Sequence, residues 1–261
     1  MMNVGPTKYA CGVEYLGTDY KGWQSQDNQE TIQDRIESAL SKVADEKIRI
    51  YSAGRTDSGV HARGQVFHFS SKANRSKSQW LDGINSYLPP DIHIQWIQAV
   101  DEAFDARRTA LSRTYVYLIN NKDLDVFNHQ RALYVKQTLN TDVMTEASQL
   151  LIGRHDFSSF RASSCQSKNP VREMKNIDLE VNHLIAISFT ANAFLHHMIR
   201  NIIGTLIDVG IGKISPKDFE KILHQRDRSA ASKTASAKGL YLTQVSYPKE
   251  HDFPYRSFEM I

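Results

Sequence analysis

Residues 52–69 read SAGRTDSGVHARGQVFHF, and the rest of the chain is organised around them. One β-strand leads into this stretch and another leads out of it, with a glycine-rich turn at residues 54–59 between them. Glycine permits a positive φ and a close approach of other backbone. The turn would present Asp57 and Arg55 at the edge of a sheet, where binding and catalytic groups are common. Asp and Ser beside Gly also form ordinary turns that have no function.

The composition is that of an ordinary globular protein. The 261 residues are 41% hydrophobic and 23% charged, with a formal net charge of +3. No apolar run is long enough to span a membrane, and the N-terminal residues lack a signal-peptide pattern. Two cysteines, Cys11 and Cys165, cannot form a disulfide framework and have no metal-ligand spacing. We therefore expect a cytoplasmic protein with no membrane partner, and the weak positive charge suits an anionic partner.

The hydrophobic periodicity predicts an α+β fold in two halves. It predicts strands at residues 9–15, 48–53, 65–69, 93–100, 113–119, 177–181, 184–189 and 240–247. It predicts helices from Thr31, at 78–87, from Thr141 to 152, at 194–209 and after Ser215, and a polar loop at 153–172. Strands and helices do not alternate regularly, which favours mostly antiparallel sheets with flanking helices. The predicted halves are residues 1–105, which carry the Asp57 turn, and residues 106–261.

An arginine interrupts the apolar segment FLHHMIRNIIGTLIDVG, residues 194–210. Helical spacing places Arg200 on a narrow polar stripe of an otherwise buried helix. A buried guanidinium needs a carboxylate partner, and Asp57 is the candidate that we choose. Such a pair would keep Asp57 ionised, as a nucleophile requires. Alternatively, Arg200 only holds the two halves together.

Tyr115 and two histidines are further candidate site residues. Tyr115 either packs in the core, or stacks on an extruded base and moves a proton with its hydroxyl. His196 and His197 fall on different faces of the predicted helix, so they do not form an i, i+4 metal pair. We take His197 and His61 as candidates for substrate contact. The sequence contains no motif for a metal or a nucleotide cofactor.

Residues 54–62, GRTDSGVHA, resemble the signature turn of the TruA family of tRNA pseudouridine synthases. Further segments resemble the family in the same order along nearly the whole chain: residues 15–26, 104–107, 112–117, 155–160, 194–204 and 238–248. Leu16 and Ser236 stand where the family often has Asp and Pro. Neither position carries chemistry in our assignment.

The resemblance implies the pseudouridine synthase fold, with two halves side by side and a central basic cleft. It implies a homodimer that isomerises uridine to pseudouridine at positions 38, 39 and 40 of the tRNA anticodon stem-loop, without cofactor or metal. Asp57 would be the nucleophile, Arg200 its ion-pair partner, and Tyr115 the base-stacking residue and proton acceptor. Arg55 would fill the gap left by the flipped base or hold its phosphate.

Several alternatives stay open at the level of sequence. The carboxylate can attack C1′ or the base, or assist glycal formation by deprotonation. A non-catalytic RNA-binding module would use the same basic cleft, although it gains nothing from a buried carboxylate beside RNA phosphates. A nucleoside-hydrolysing enzyme would also use one Asp at C1′, but it would release free uracil.

Overall fold

The computed structural model describes residues 5–124 and 126–254. The chain forms two compact units: Met1–Leu111 with Leu242–Ile261, and Ser112–Tyr241. This division differs from the predicted halves 1–105 and 106–261 because the C-terminal strand returns to the first unit. There the Leu111 N–H donates to the Ser246 carbonyl at 2.8 Å, and the Tyr247 hydroxyl donates to the Ala106 carbonyl at 2.7 Å.

The described residues contain five α-helices and ten strands, numbered along the chain. The strands are β1 (Thr7–Tyr15), β2 (Tyr51–Ser52), β3 (His61–Ser71), β4 (Ile92–Ala99), β5 (Ser112–Asn120), β6 (Leu133–Tyr134), β7 (Gly153–Asp156), β8 (Val171–Val181), β9 (Ile185–Ala191) and β10 (Leu240–Ser246). The helices are α1 (Ile32–Ala44), α2 (Lys77–Tyr87), α3 (Thr141–Gln149), α4 (Met198–Gly210) and α5 (Pro216–Gln225). The predicted α+β class is confirmed.

The first unit is a sheet with two helices. Its strands lie in the order β4-β1-β3-β10, and β2 pairs with β3. The pairs β1–β3, β1–β4 and β2–β3 are antiparallel, as the sequence predicts. Aromatic and branched side chains form its core, among them Trp23, Ile32, Ile36, Phe67, Phe69 and Trp80. The helix starts follow from capping, since Thr31 caps α1 and Ser76 forms a capping box with Gln79 at α2.

The predicted strand at residues 48–53 is much shorter than expected. Only Tyr51 and Ser52 pair with β3, although Ile48 and Ile50 are buried. The Ile48 N–H donates to the Ser41 hydroxyl at 3.0 Å, and the Ile50 N–H donates to the Glu37 carboxylate at 3.0 Å. Side chains of α1 therefore satisfy the backbone donors that a sheet would otherwise use.

The second unit contains a sheet in the order β5-β9-β8-β7, with the short β6 parallel to β5. The pairs β5–β9, β8–β9 and β7–β8 are antiparallel. The strand β7 lies within residues 153–172, which the sequence predicts as a polar loop. Its four residues pair with the start of β8. Its core includes Tyr117, Phe157, Phe160, Phe189 and Phe219.

The N-cap of α3 and the first residue of α4 differ from prediction. Asn140, one residue earlier than the predicted Thr141, caps α3 with its side chain. The helix α4 begins at Met198 rather than at residue 194, because His197 has a φ of 60° and cannot continue a right-handed helix. Ser215 caps α5 with Pro216 at its first turn, as predicted.

None of the helices in the described part of the chain has the length and apolar character that crossing a bilayer requires.

Candidate active site

The glycine-rich turn lies between β2 and β3 in the first unit and is fixed at both ends. At its start the Ala53 N–H donates to the Val66 carbonyl at 2.7 Å, and the Gly54 carbonyl accepts from the Gln65 amide at 2.8 Å. At its end the Val60 N–H donates to the Asp57 carbonyl at 3.1 Å. Gly59 adopts a φ of 77°, a conformation that favours glycine. The Asp57 side chain is consequently held on a short, closed turn and is half-buried.

The segment after β1, residues 16–26, holds this turn from the other side. The Tyr15 and Thr56 hydroxyls share a hydrogen bond of 2.8 Å, and the Trp23 N–H donates to the Thr56 carbonyl at 3.1 Å. The Tyr20 carbonyl accepts from the Ser58 hydroxyl at 3.1 Å. Burial raises the pKa of Tyr15 far above its ordinary value, because a buried phenolate would lose its hydration. The two residues that flank Asp57 are thus both bonded to the same segment.

Two glycines allow this close approach. A Cβ on Gly17 would lie 2.0 Å from the Val60 carbonyl oxygen, and a Cβ on Gly22 would lie 2.7 Å from the Thr56 carbonyl oxygen. Gly22 also has a φ of 89°. The support that residues 16–26 give to the turn was not predicted, and the spacing of their glycines was the available signal.

His61 is fully buried at the start of β3, and its Nδ1 accepts a hydrogen bond from the Gly17 N–H at 3.0 Å. Because Nδ1 is an acceptor, the imidazole in this arrangement is neutral and carries its proton on Nε2. This position favours a role in holding the turn against residues 16–26. Substrate contact by His61 stays a prediction, as it does for Arg55, which is exposed on the turn.

Tyr115 lies on β5 in the second unit, paired in register with Phe189. The side chain is 8% exposed, and its ring makes an edge-to-face contact with Phe194 at 5.1 Å and 81°. Edge-to-face pairs of this kind are worth about 0.5–1.5 kcal/mol beyond burial. The ring of Tyr115 is therefore packed. A chemical role would depend on its hydroxyl, whereas a packing role would need only the ring.

We expect Tyr115→Phe to lower turnover by at least about a hundredfold, because it removes the proposed proton acceptor and keeps the ring. The melting temperature should change little, because the ring keeps its edge-to-face contact with Phe194. Tyr117→Phe is the matched control, since the Tyr117 hydroxyl donates to the Ser236 carbonyl at 2.7 Å and its loss should cost about 1 kcal/mol of stability. Thermal unfolding and single-turnover kinetics measure both effects. A large fall in melting temperature for Tyr115→Phe would assign Tyr115 to core packing.

Arg200 lies in the first turn of α4 and is half-buried. Its Nε donates to the Ala235 carbonyl at 2.9 Å, and the Ala235 N–H donates back to the Arg200 carbonyl at 3.0 Å. One edge of the guanidinium is therefore anchored to backbone. The predicted ion pair with Asp57 joins residues of different units and stays a prediction.

The polar stripe of α4 is the docking surface for the loop at residues 228–238. Asn201 is fully buried, and its Oδ1 accepts from the Thr234 hydroxyl at 2.6 Å and from Arg228 Nη2 at 3.1 Å. The Thr205 hydroxyl accepts from the Ser232 N–H at 3.2 Å. A Cβ on Gly204 would lie 1.9 Å from the Lys233 carbonyl oxygen. This docked loop supplies the carbonyl that orients Arg200.

The prediction that His196 and His197 lie on different faces of a helix is wrong. Both precede α4, and their rings lie 4.0 Å apart between centroids at 41°. The His196 carbonyl accepts from the Ala162 N–H at 3.0 Å, and its Nδ1 lies 3.2 Å from the Ser164 hydroxyl. These bonds tie the turn to the preceding loop. The role of His197 in substrate binding stays a prediction.

Comparisons with known proteins identify the family of the chain. A family model described as "tRNA pseudouridine synthase" matches residues 12–107 and 147–248, which include Asp57 and Arg200 but not Tyr115. The chain belongs to this family of RNA-modifying enzymes. Relatives named "tRNA pseudouridine synthase A" come from Buchnera aphidicola of Schizaphis graminum (47% identical; 95% of this chain and 94% of the relative covered) and Shewanella sediminis (43%; 95% of each). A third, from Histophilus somni, is 46% identical, with 95% of this chain and 93% of the relative covered.

Proposed function

We propose that this protein isomerises uridine to pseudouridine at positions 38, 39 and 40 in the anticodon stem-loop of tRNA. Membership of the tRNA pseudouridine synthase family carries the reaction and the class of substrate. The positions rest on the resemblance of the signature turn and of the segments around it. No cofactor or metal enters the proposal, because the reaction moves one glycosidic bond within the substrate without net oxidation.

The reaction requires four bond changes at one nucleotide. The N1–C1′ bond breaks and the uracil turns, C5 bonds to C1′, the C5 proton leaves, and N1 gains a proton, so that no proton is lost overall. A stacked uridine cannot be reached inside a stem, so it must be extruded at a cost of a few kcal/mol. The enzyme must therefore retain the detached base and supply one group for C1′ and another for the C5 proton.

We propose Asp57 as the group that acts at C1′ or on the base. The single observation that supports this assignment best is the double anchoring of its turn, through Thr56 to Tyr15 and through Ser58 to Tyr20. A carboxylate held this way does not need to be reorganised when charge develops. The proposed ion pair with Arg200 would keep Asp57 ionised.

We propose Tyr115 as the residue that stacks on the extruded base and accepts the C5 proton. Its ring is already fixed against Phe194, which reduces the entropy lost when a base stacks on it. Arg55, exposed on the turn, fills the gap left by the base or holds its phosphate. We further propose that the protein is a cytoplasmic homodimer and that one tRNA contacts both subunits.

The positions can be tested with tRNA transcripts in which only one of positions 38, 39 and 40 is uridine. We expect pseudouridine at that position in each of the three transcripts, and none in a transcript that lacks all three. Base-resolved mapping of pseudouridine by chemical labelling and primer extension measures the outcome. Modification at another uridine, with these three untouched, would contradict the assigned positions while leaving the isomerase reaction in place.

A further inference from the structure

Two arginines of the second unit hold one loop, residues 161–172. At the start of the loop, Arg161 Nη2 donates to the Cys165 carbonyl at 3.0 Å. At its end, Arg172 Nη1 donates to the Asn169 carbonyl at 2.9 Å and Nη2 donates to the Ser167 hydroxyl at 2.9 Å. Two positive charges are thus brought together by neutral acceptors.

Neither arginine has a carboxylate partner among the residues that the structure describes. The nearby Asp156 lies 3.5 Å from Arg226 and also accepts from the Ser158 N–H at 2.9 Å. Glu173 is exposed and follows Arg172 along β8, so the two side chains point to opposite faces. Burial lowers the pKa of Arg172; the neighbouring Cys165 opposes this shift, and the charge of Arg161 adds to it. A partly buried pair of like charges without a counterion is costly.

The Nε of Arg172 is buried and has no hydrogen-bond partner among the described residues. A buried donor left unsatisfied costs about 1–3 kcal/mol, and more when it is charged. The Nε–Nη2 edge of a guanidinium is a fork that matches two oxygens of one phosphate. The group that would satisfy this edge is therefore an anion with paired oxygens.

We propose that Arg161 and Arg172 bind a backbone phosphate of the tRNA substrate. The proposal rests on the proposed function and adds a site for the phosphodiester backbone on the second unit. Ser167 covers the fork of Arg172 and moves aside when the phosphate binds; the loop around it is largely exposed, so this movement meets little packing. The exposed Lys168 adds a third positive charge to the same loop. Arginine is suited to this role because it presents several donors to one phosphate.

The test is the salt dependence of binding to an unmodified tRNA transcript. We expect the variant with both Arg161→Gln and Arg172→Gln to reduce the slope of log affinity against log salt by about 0.7–0.9, the value for one phosphate contact. Relative to wild type, the affinity that this variant loses should then be about five- to eightfold larger at 0.1 M salt than at 1 M salt. Arg35→Gln with Arg49→Gln is the matched control, since it removes the same charge from arginines that pair with Glu30 and Glu37 in the first unit. The control should keep the wild-type slope.

A structural role for the two arginines predicts a different result. If they only hold the loop, the double variant loses the same factor of affinity at every salt concentration, and the proposal is overturned. Arg161→Gln alone loses a single hydrogen bond to backbone and so keeps the test valid if the double variant folds poorly. It should lower the slope by part of the full amount; an unchanged slope would again overturn the proposal.

The binding test is independent of catalysis. Wild-type protein that binds tRNA with the expected slope but forms no pseudouridine would contradict the proposed function and leave the phosphate site standing.

Discussion

Asp57→Asn should abolish pseudouridine formation while tRNA binding and melting temperature stay close to those of the wild type. The substitution preserves the size of the side chain and removes the charge that the proposed nucleophile needs. We expect single-turnover rates to fall by at least about a thousandfold, the scale typical for loss of an essential nucleophile. The turn itself should survive, because bonds of the Thr56 and Ser58 side chains and of the backbone hold it.

Asp27→Asn provides the matched control for this experiment. Asp27 is exposed directly after residues 16–26 and loses the same charge when it is replaced. Its turnover should stay within a factor of about two of wild type, since surface substitutions are usually within ±0.5 kcal/mol. Activity retained by Asp57→Asn, with the control also active, would refute Asp57 as the catalytic carboxylate.

Gly204→Ala should lower both stability and turnover. The added Cβ would lie 1.9 Å from the Lys233 carbonyl oxygen, and a backbone atom cannot rotate away as a side chain can. We expect a loss of about 1–3 kcal/mol in the free energy of unfolding, which for a chain of this size lowers the melting temperature by about 2–4 °C per kcal/mol. Because the displaced loop also carries the Ala235 carbonyl, Arg200 should lose its anchor and turnover should fall.

Gly54→Ala is a control that tests the steric argument alone. A Cβ on Gly54 meets no atom within 4 Å, so the melting temperature of that variant should stay near that of wild type. The measurement is thermal unfolding of both variants together with single-turnover kinetics of Gly204→Ala. Wild-type stability and turnover in Gly204→Ala would show that the loop does not depend on close contact with α4.

Local signals in the sequence predicted much of the fold. The cap of α5 followed from Ser215 and Pro216, and the first strand and helix followed from alternation and from Thr31. The predictions that failed concern features that depend on contacts with residues far away in the sequence. The strand at residues 48–53 shrank because Glu37 and Ser41 on α1 took its backbone donors. No local pattern records such an exchange.

The candidate site shows the same division between local and distant information. The positions of Asp57 on a glycine-rich turn and of Arg200 in an apolar helix were predictable, because both patterns are visible in the sequence. The segment that holds the Asp57 turn was not, since the bond between Tyr15 and Thr56 joins residues 41 positions apart. The polar stripe of α4 was visible as a pattern, but its use as a docking surface for residues 228–238 needed the tertiary structure.

The most direct test of the account uses tRNA labelled with tritium at C5 of uridine, incubated with wild-type protein and with Asp57→Asn. Formation of the C5–C1′ glycosidic bond releases the C5 hydrogen to water, so we expect tritium release by the wild type alone and no free uracil. Release of uracil would instead indicate a nucleoside-hydrolysing enzyme. Absence of tritium release from any tRNA, with binding intact, would contradict the isomerase and indicate an RNA-binding protein.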